Sequence, residues 1–380
     1  MKSLLKYAYL CLCGLLLSAI YWWCYFDYHT KLSAADISER TTAIDSDDVS
    51  FDKKLLVHRL LKYDLDSGVS SQAIYEKALI HTNHFFSESY SQCHSENEIL
   101  KKVTCVNRTL GKYFTYQSSS SVSHYAEQLS DCDLNSYLMM DALAKMNIQL
   151  DIVYAPYHAF VSWSERGGRY FWETTAKDNT GEEVDLSDKN MYAPSENVAF
   201  YHPKKASYAE DLYKVLVDRE TSFSDQERMG VLQSSYHLTD SNIIALIHIF
   251  NLKKKLNQLN DQDISEIESE YQYSDMGNSF RIILANYYLG QNKKDLAESV
   301  LNTVDMDRCG EGCYQLAVDI GVLHYILLKP LYDITQSSSR FLSFDVGYSD
   351  IADGVHIYIA LLLSVLCVFC TLIFCRKYRK

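Results

Sequence analysis

Residues 130–175 read SDCDLNSYLMMDALAKMNIQLDIVYAPYHAFVSWSERGGRYFWETT, and this stretch decides the fold. It opens on Ser130-Asp131-Cys132-Asp133, short polar side chains that satisfy the free amides of a first helical turn. A capping box there predicts a helix running through Met146. The period then changes. Leu150 to Tyr154 alternates as a strand does, and Ala159–Trp163 and Arg169–Thr174 read as two further strands around a four-residue loop, Ser164–Gly167. A helix followed by an antiparallel hairpin predicts an α+β fold.

Outward from this stretch the pattern is helical on both sides. Leu55, Leu56, Leu60 and Leu61, then Ile74, Ala78 and Leu79, recur at helix spacing between Phe51 and Ser87. A further helix fits Asn97–Leu110, and the serine run 118–121 reads as a loop. After His202 the chain returns to helices up to Leu328. Within them Leu284–Leu301 (LANYYLGQNKKDLAESVL) is similar to one tetratricopeptide-type hairpin. No second copy follows at a fixed period, and a solenoid needs at least three, so an ordinary helical hairpin is expected.

The ends are apolar. Tyr7–Phe26 is an uncharged run of 20 residues, and Val355–Cys375 is one of 21 with a single histidine. At about 1.5 Å per residue each is long enough to cross a hydrocarbon layer of about 30 Å. The first run has the alternative of a cleaved signal peptide. Tyr21, Trp22, Trp23 and Tyr25 occupy the place where a cleavage site needs small residues, and such rings suit a membrane interface. Lys2 and Lys6 precede the first run, and Arg376, Lys377, Arg379 and Lys380 follow the second, so both basic ends are expected in the cytosol. The organisation expected is a cytosolic 1–6, a membrane helix 7–26, an acidic linker 27–50, a first domain 51–205, a helical region 206–350, a membrane helix 355–375 and a basic tail 376–380. The main domain is expected on the periplasmic side of an inner membrane, or in a luminal or extracellular space.

Charge narrows the partners. Six of the 36 basic residues lie in the two flanks, leaving 30 against all 49 acidic ones, a formal charge of −19 for the rest. That surface repels nucleic acid and anionic lipid, so a protein or peptide substrate is expected. No cofactor is called for. The non-membrane part has five cysteines: Cys93, Cys105, Cys132, Cys309 and Cys313. In an oxidising compartment the local pairs are Cys93 with Cys105 and Cys309 with Cys313, which leaves Cys132 over, and an odd thiol there asks for a chemical role.

Cys132, His158 and Glu173 together supply one. Cys132 falls in the first turn of its helix, where unpaired amides favour a thiolate, while Asp131 and Asp133 oppose it. A basic partner is therefore needed, and His158 opens the next strand but one. A pairing that sets Trp163 opposite Gly168 also sets His158 opposite Glu173. A two-residue Gly167-Gly168 turn would instead set His158 opposite Lys177. With the first register, thiolate, imidazole and carboxylate take the roles of nucleophile, proton carrier and orienter. The Cys132 amide is a candidate oxyanion donor, with Gln117 and Gln128 as further candidates.

A helix opening with Cys132, a strand, then Pro156-Tyr157-His158-Ala159-Phe160-Val161, then Tyr170-Phe171-Trp172-Glu173-Thr174-Thr175, resembles the core of the transglutaminase-like cysteine-enzyme superfamily. The likeness spans roughly residues 97–203, with 100–116 similar to the helix before the cysteine. It implies a papain-like α+β core and a membrane-anchored cysteine peptidase or amidase with Cys132, His158 and Glu173 as its triad. The family's usual acid is Asp, so Glu173 is a departure. The alternative is an inactive member of the same fold that holds a protein partner on its helical region.

Other residues are read more plainly. His81, His84, Cys93 and His94 match no standard metal spacing, and a solvated helix with a loop disulfide is the simpler account. Asn107-Arg108-Thr109 is a glycosylation sequon. Trp163 and Trp172 are expected to pack the hairpin.

Overall fold

The computed structural model describes residues 48–321, apart from residues 157, 189–191, 193–194, 196, 198, 240–241, 270, 272–275 and 305–310 and the side chains of 177–178 and 311–314. Both apolar terminal runs, and the Cys309–Cys313 pair, therefore lie outside the described residues. The residues described below belong to one compact unit, 44–305 with 315–322. Among them no helix is long and apolar enough to cross a membrane.

The fold is mixed α+β and mostly helical. Three helices lead, α1 Leu56–Asp66, α2 Gln72–Cys93 and α3 Ile99–Tyr113. Two short strands, β1 Thr115–Tyr116 and β2 Leu129–Ser130, pair in parallel across a 3₁₀ segment, Val122–Glu127. Then come α4 Cys132–Ala144 and the strands β3 Asp151–Ala155, β4 His158–Glu165 and β5 Gly168–Glu173. A short turn of helix, Ala176–Asn179, leads to β6 Glu182–Glu183, completing an antiparallel sheet of order β3-β4-β5-β6. Helices α5 Ala206–Leu216, α6 Asp225–Leu238, α7 Ile243–Lys255, α8 Asp261–Ser269, α9 Gly277–Gly290 and α10 Lys294–Leu301 follow. Helices α9 and α10 form the expected hairpin.

Helix α4 is the pivot. Every residue from Leu134 to Leu143 is buried, because the helix is apolar nearly all round and is enclosed by α1, α2, α3, β3 and β4. Its one acid there, Asp141, is used. Helix α1 has no side-chain cap of its own, and Asp141 accepts from the Leu56 and Val57 amides at 2.9 and 2.7 Å. The sheet sorts its faces by alternation. Ile152, Tyr154, Ala159, Val161 and Trp163 join the main core with α4, while Val153, Ala155 and Phe160 form a smaller cluster with Tyr192 on the other face. The outer edge of β3 is covered, since Ile152 and Lys204 exchange both backbone bonds.

Two details differ from the sequence reading. The cap of α4 is Asp131, whose carboxylate accepts from the Leu134 amide at 3.2 Å. Ser130 is drawn into β2 instead, so the capping box does not form. The β4–β5 hairpin takes neither expected register. Glu165 faces Gly168, and the loop is the two residues Arg166 and Gly167, with φ of 49° and 82°. Positive φ at both loop residues gives the turn whose twist matches the strands, and this selects the pairing.

Candidate active site

The observed register moves His158 and Glu173 apart by two positions and keeps them on one face. One step beyond the Val161–Trp172 pair, Phe160 is level with Glu173, and His158 stands two residues further along. A diagonal neighbour is within reach of a long side chain. Glu173 has one more methylene than Asp, and it spans the gap: His158 Nε2 lies 2.5 Å from Glu173 Oε2. Nε2 is thereby committed to the carboxylate, which leaves Nδ1 as the ring nitrogen open to a thiol.

Glu173 is 1 % exposed, yet it is fully provided with donors. Its Oε1 accepts from the Thr175 amide at 2.9 Å and the Thr175 hydroxyl at 2.6 Å, and Tyr192 donates to Oε2 at 2.9 Å. Burial alone would raise its pKa. The bond and charge of His158, with the two Thr175 bonds, outweigh burial and hold the carboxyl below its ordinary value. The group therefore stabilises the folded state above the ordinary carboxylate range, and that contribution is lost as pH falls through its lowered pKa.

The strand end that carries Glu173 is clamped from α3. Asn107 is fully buried, donates to the carbonyls of Thr174 and Asn179 at 3.0 and 2.6 Å, and accepts from the Trp172 indole at 2.7 Å. The sequon asparagine thus has its amide consumed inside the fold. Gly181, at φ +77°, makes room for this: a Cβ there would sit 2.4 Å from Trp172 Nε1 and 2.5 Å from Asn107 Oδ1. Asn135 on α4 donates to Asn179 Oδ1 at 2.9 Å, so this polar chain reaches the helix that carries Cys132.

Cys132 is the first residue of α4, half-buried, and the one free cysteine among the described residues. Burial pushes its thiol well above the usual range, and the carboxylates of Asp133 and Asp131 add to this, while the amide of Ala159 favours the thiolate. Asp133 itself is raised to about 7, by burial and by Asp131, with the His158 charge pulling it back. Asp131 accepts from the amides of Ser119 and Leu134, and its carboxyl too is raised, chiefly by burial. Beside this helix start lies a cleft of about 450 Å³ lined by Ser118, Ser119, Ser120, His124, Asp133 and Leu216.

The remaining candidates separate. Gln117 donates its backbone N–H to the Ser130 carbonyl at 2.9 Å, which keeps the residue alongside the start of α4. Gln128 donates one side-chain N–H to the Tyr113 carbonyl at 3.1 Å. Cys93 is bonded to Cys105, with Cα atoms 5.7 Å apart, tying α2 to α3. His81 and His94 contact the carbonyls of Tyr125 and Tyr90 through Nδ1. No group of three or more His, Cys, Asp or Glu among the described residues is arranged to hold a metal. Trp163 stacks on Tyr170 across the hairpin, as expected of a packing residue, whereas Trp172 also serves Asn107. Sequence reasoning passed over Tyr192, which lies far from any motif, and Thr175, although it stands in the quoted Glu-Thr-Thr run. No family model matches the chain, and no curated protein matches it.

Proposed function

We propose that this protein is a membrane-anchored, extracytoplasmic cysteine hydrolase, a peptidase or amidase, built on a transglutaminase-like core. The observation that carries the reading is the buried 2.5 Å bond between His158 and Glu173, on the sheet against which the helix opening with free Cys132 packs. The Cys93–Cys105 disulfide supports an oxidising compartment. The two-pass anchoring and the periplasmic placement rest on the apolar runs and their basic flanks.

In this reading the Cys132 proton passes to His158 Nδ1 and the sulfur attacks the carbonyl carbon of an amide. The tetrahedral oxyanion is held by the Cys132 backbone amide, one of the free donors of a first helical turn, with the side-chain amide of Gln117 as the second donor. The imidazolium gives its proton to the leaving amine as the C–N bond breaks, and a thioester remains. Water, deprotonated by His158, then hydrolyses the thioester and returns the thiol. Glu173 fixes the tautomer and balances the imidazolium charge.

One observation favours a second reading, a non-catalytic module of the same core that binds a protein partner. Burial and two neighbouring carboxylates work against a Cys132 thiolate. Hydrolysis of simple aryl esters and of peptide amides separates the two. Cys132→Ala and His158→Ala should each lose turnover by on the order of a thousandfold or more, and Glu173→Gln should lose less, since its amide oxygen still accepts the imidazole N–H. Turnover by Cys132→Ala at the wild-type rate would leave only the binding reading.

A further inference from the structure

We infer that Tyr192 is a positioning residue of this site: its hydroxyl sits on the same carboxylate oxygen as the His158 ring and sets how strongly Glu173 holds that ring. The inference rests on the acyl-transfer reading above. Oε2 of Glu173 takes two donors, His158 Nε2 at 2.5 Å and the Tyr192 hydroxyl at 2.9 Å. Anchoring the carboxylate does not require the second, because Oε1 already takes both donors of Thr175. What Tyr192 adds is local to the oxygen that faces the imidazole. A neutral donor there draws charge from that oxygen and weakens its attraction for an imidazolium.

The ring of Tyr192 contributes separately. It is 4 % exposed, and its centroid lies 5.9 Å from that of His158 and 5.4 Å from that of Phe160, so it packs against the His158 ring. Burial and the Glu173 charge hold its phenol well above the ordinary range, which keeps it a donor. The other charged groups around the pair are Asp133 on α4, Glu182 on β6 and Asp188, and Cys132 is the thiol they act upon. Substitution at Tyr192 alters none of them.

The test is the rate of Cys132 alkylation by iodoacetamide at neutral pH, located by peptide mass, with thermal unfolding followed in parallel. Tyr192→Phe keeps the ring and removes the donor. Glu173 then binds the imidazolium more strongly, the thiolate–imidazolium share rises, and alkylation should be faster by about fivefold. A 3-fluorotyrosine placed at 192, nearly the same size with a more acidic hydroxyl, should slow it by a similar factor. Opposite shifts support the inference. Rates within about twofold of wild type for both, or shifts of the same sign, overturn it. A His158→Ala arm tests the underlying reading: if it is alkylated as fast as wild type, no Cys132–His158 coupling exists and both proposals fall together.

Discussion

At the scale of single residues, the site is a contest over the charge of one sulfur. Asp131 and Asp133 flank Cys132 and both oppose its ionisation, and Asp133 adds the larger share of the two. Asp133→Asn should therefore raise the alkylation rate of Cys132 near neutral pH by roughly three- to tenfold. An unchanged or slower rate would mean that the Asp133 charge does not reach the sulfur. The contest was legible in the sequence, since the three residues are consecutive. His158 and Glu173 were legible as partners on adjacent strands, but their direct cross-strand pairing was not: they stand two positions apart, and the length of the Glu173 side chain closes the gap. Which lone pair met which donor was not legible. Tyr192 belongs to no motif, and Asn107 presents the pattern of a glycosylation site while its side chain is folded inward.

At the scale of elements, the chain makes long-range use of acids that look local. Asp141 sits in the apolar stretch of α4, and its carboxylate is there to cap α1, which has no side-chain cap of its own. Burial raises its carboxyl to about 7 against the pull of the two amides. Asp141→Ala leaves both amides without an acceptor and should cost about 2–4 kcal/mol, measured by denaturant unfolding. A loss under about 0.5 kcal/mol would show that α1 does not depend on this cap. Asp64 does similar work: it accepts from Ser121, Ser123 and Tyr213 and so joins α1, the 3₁₀ segment and α5. The long helices and the strands β3, β4 and β5 followed from periodicity, and the α9–α10 hairpin from the apolar spacing of Leu284–Leu301, its turn falling at residues 291–293 just after Gly290. The β4–β5 register did not, because Arg166 holds a positive φ that its side chain does not advertise.

At the scale of the molecule, one apolar core runs from Leu55 to Leu284, so the helices after the sheet share it with the site's scaffold. Tyr213 of α5 takes part directly, accepting from the Val122 amide and donating to Asp64. The core also encloses His58, which is 1 % exposed and lowered to about 4, first by burial and then by the Lys145 charge. Its Nδ1 accepts from the Asp52 amide at 2.9 Å, a bond that needs the neutral ring. A histidine lowered in the folded state stabilises fully above its unfolded pKa, and that contribution is lost as pH falls from about 6.5 to about 4. Relative to His58→Asn, wild type should lose up to about 3 kcal/mol across this window. Parallel pH profiles for the two would contradict the buried neutral ring. The sequence gives no sign of this, since His58 lies on a helix whose apolar spacing is set by leucines.

In the proposed mechanism His158 activates Cys132. A thiol raised by burial and by two carboxylates, and left alone, would be inert in mildly acidic solution. The direct measurement is the alkylation rate of Cys132 at about pH 6 in wild type and in His158→Ala, both shown to be folded. The variant should lose at least about tenfold in rate, because the imidazolium proposed to hold the thiolate is gone. Equal rates in the two proteins would contradict it.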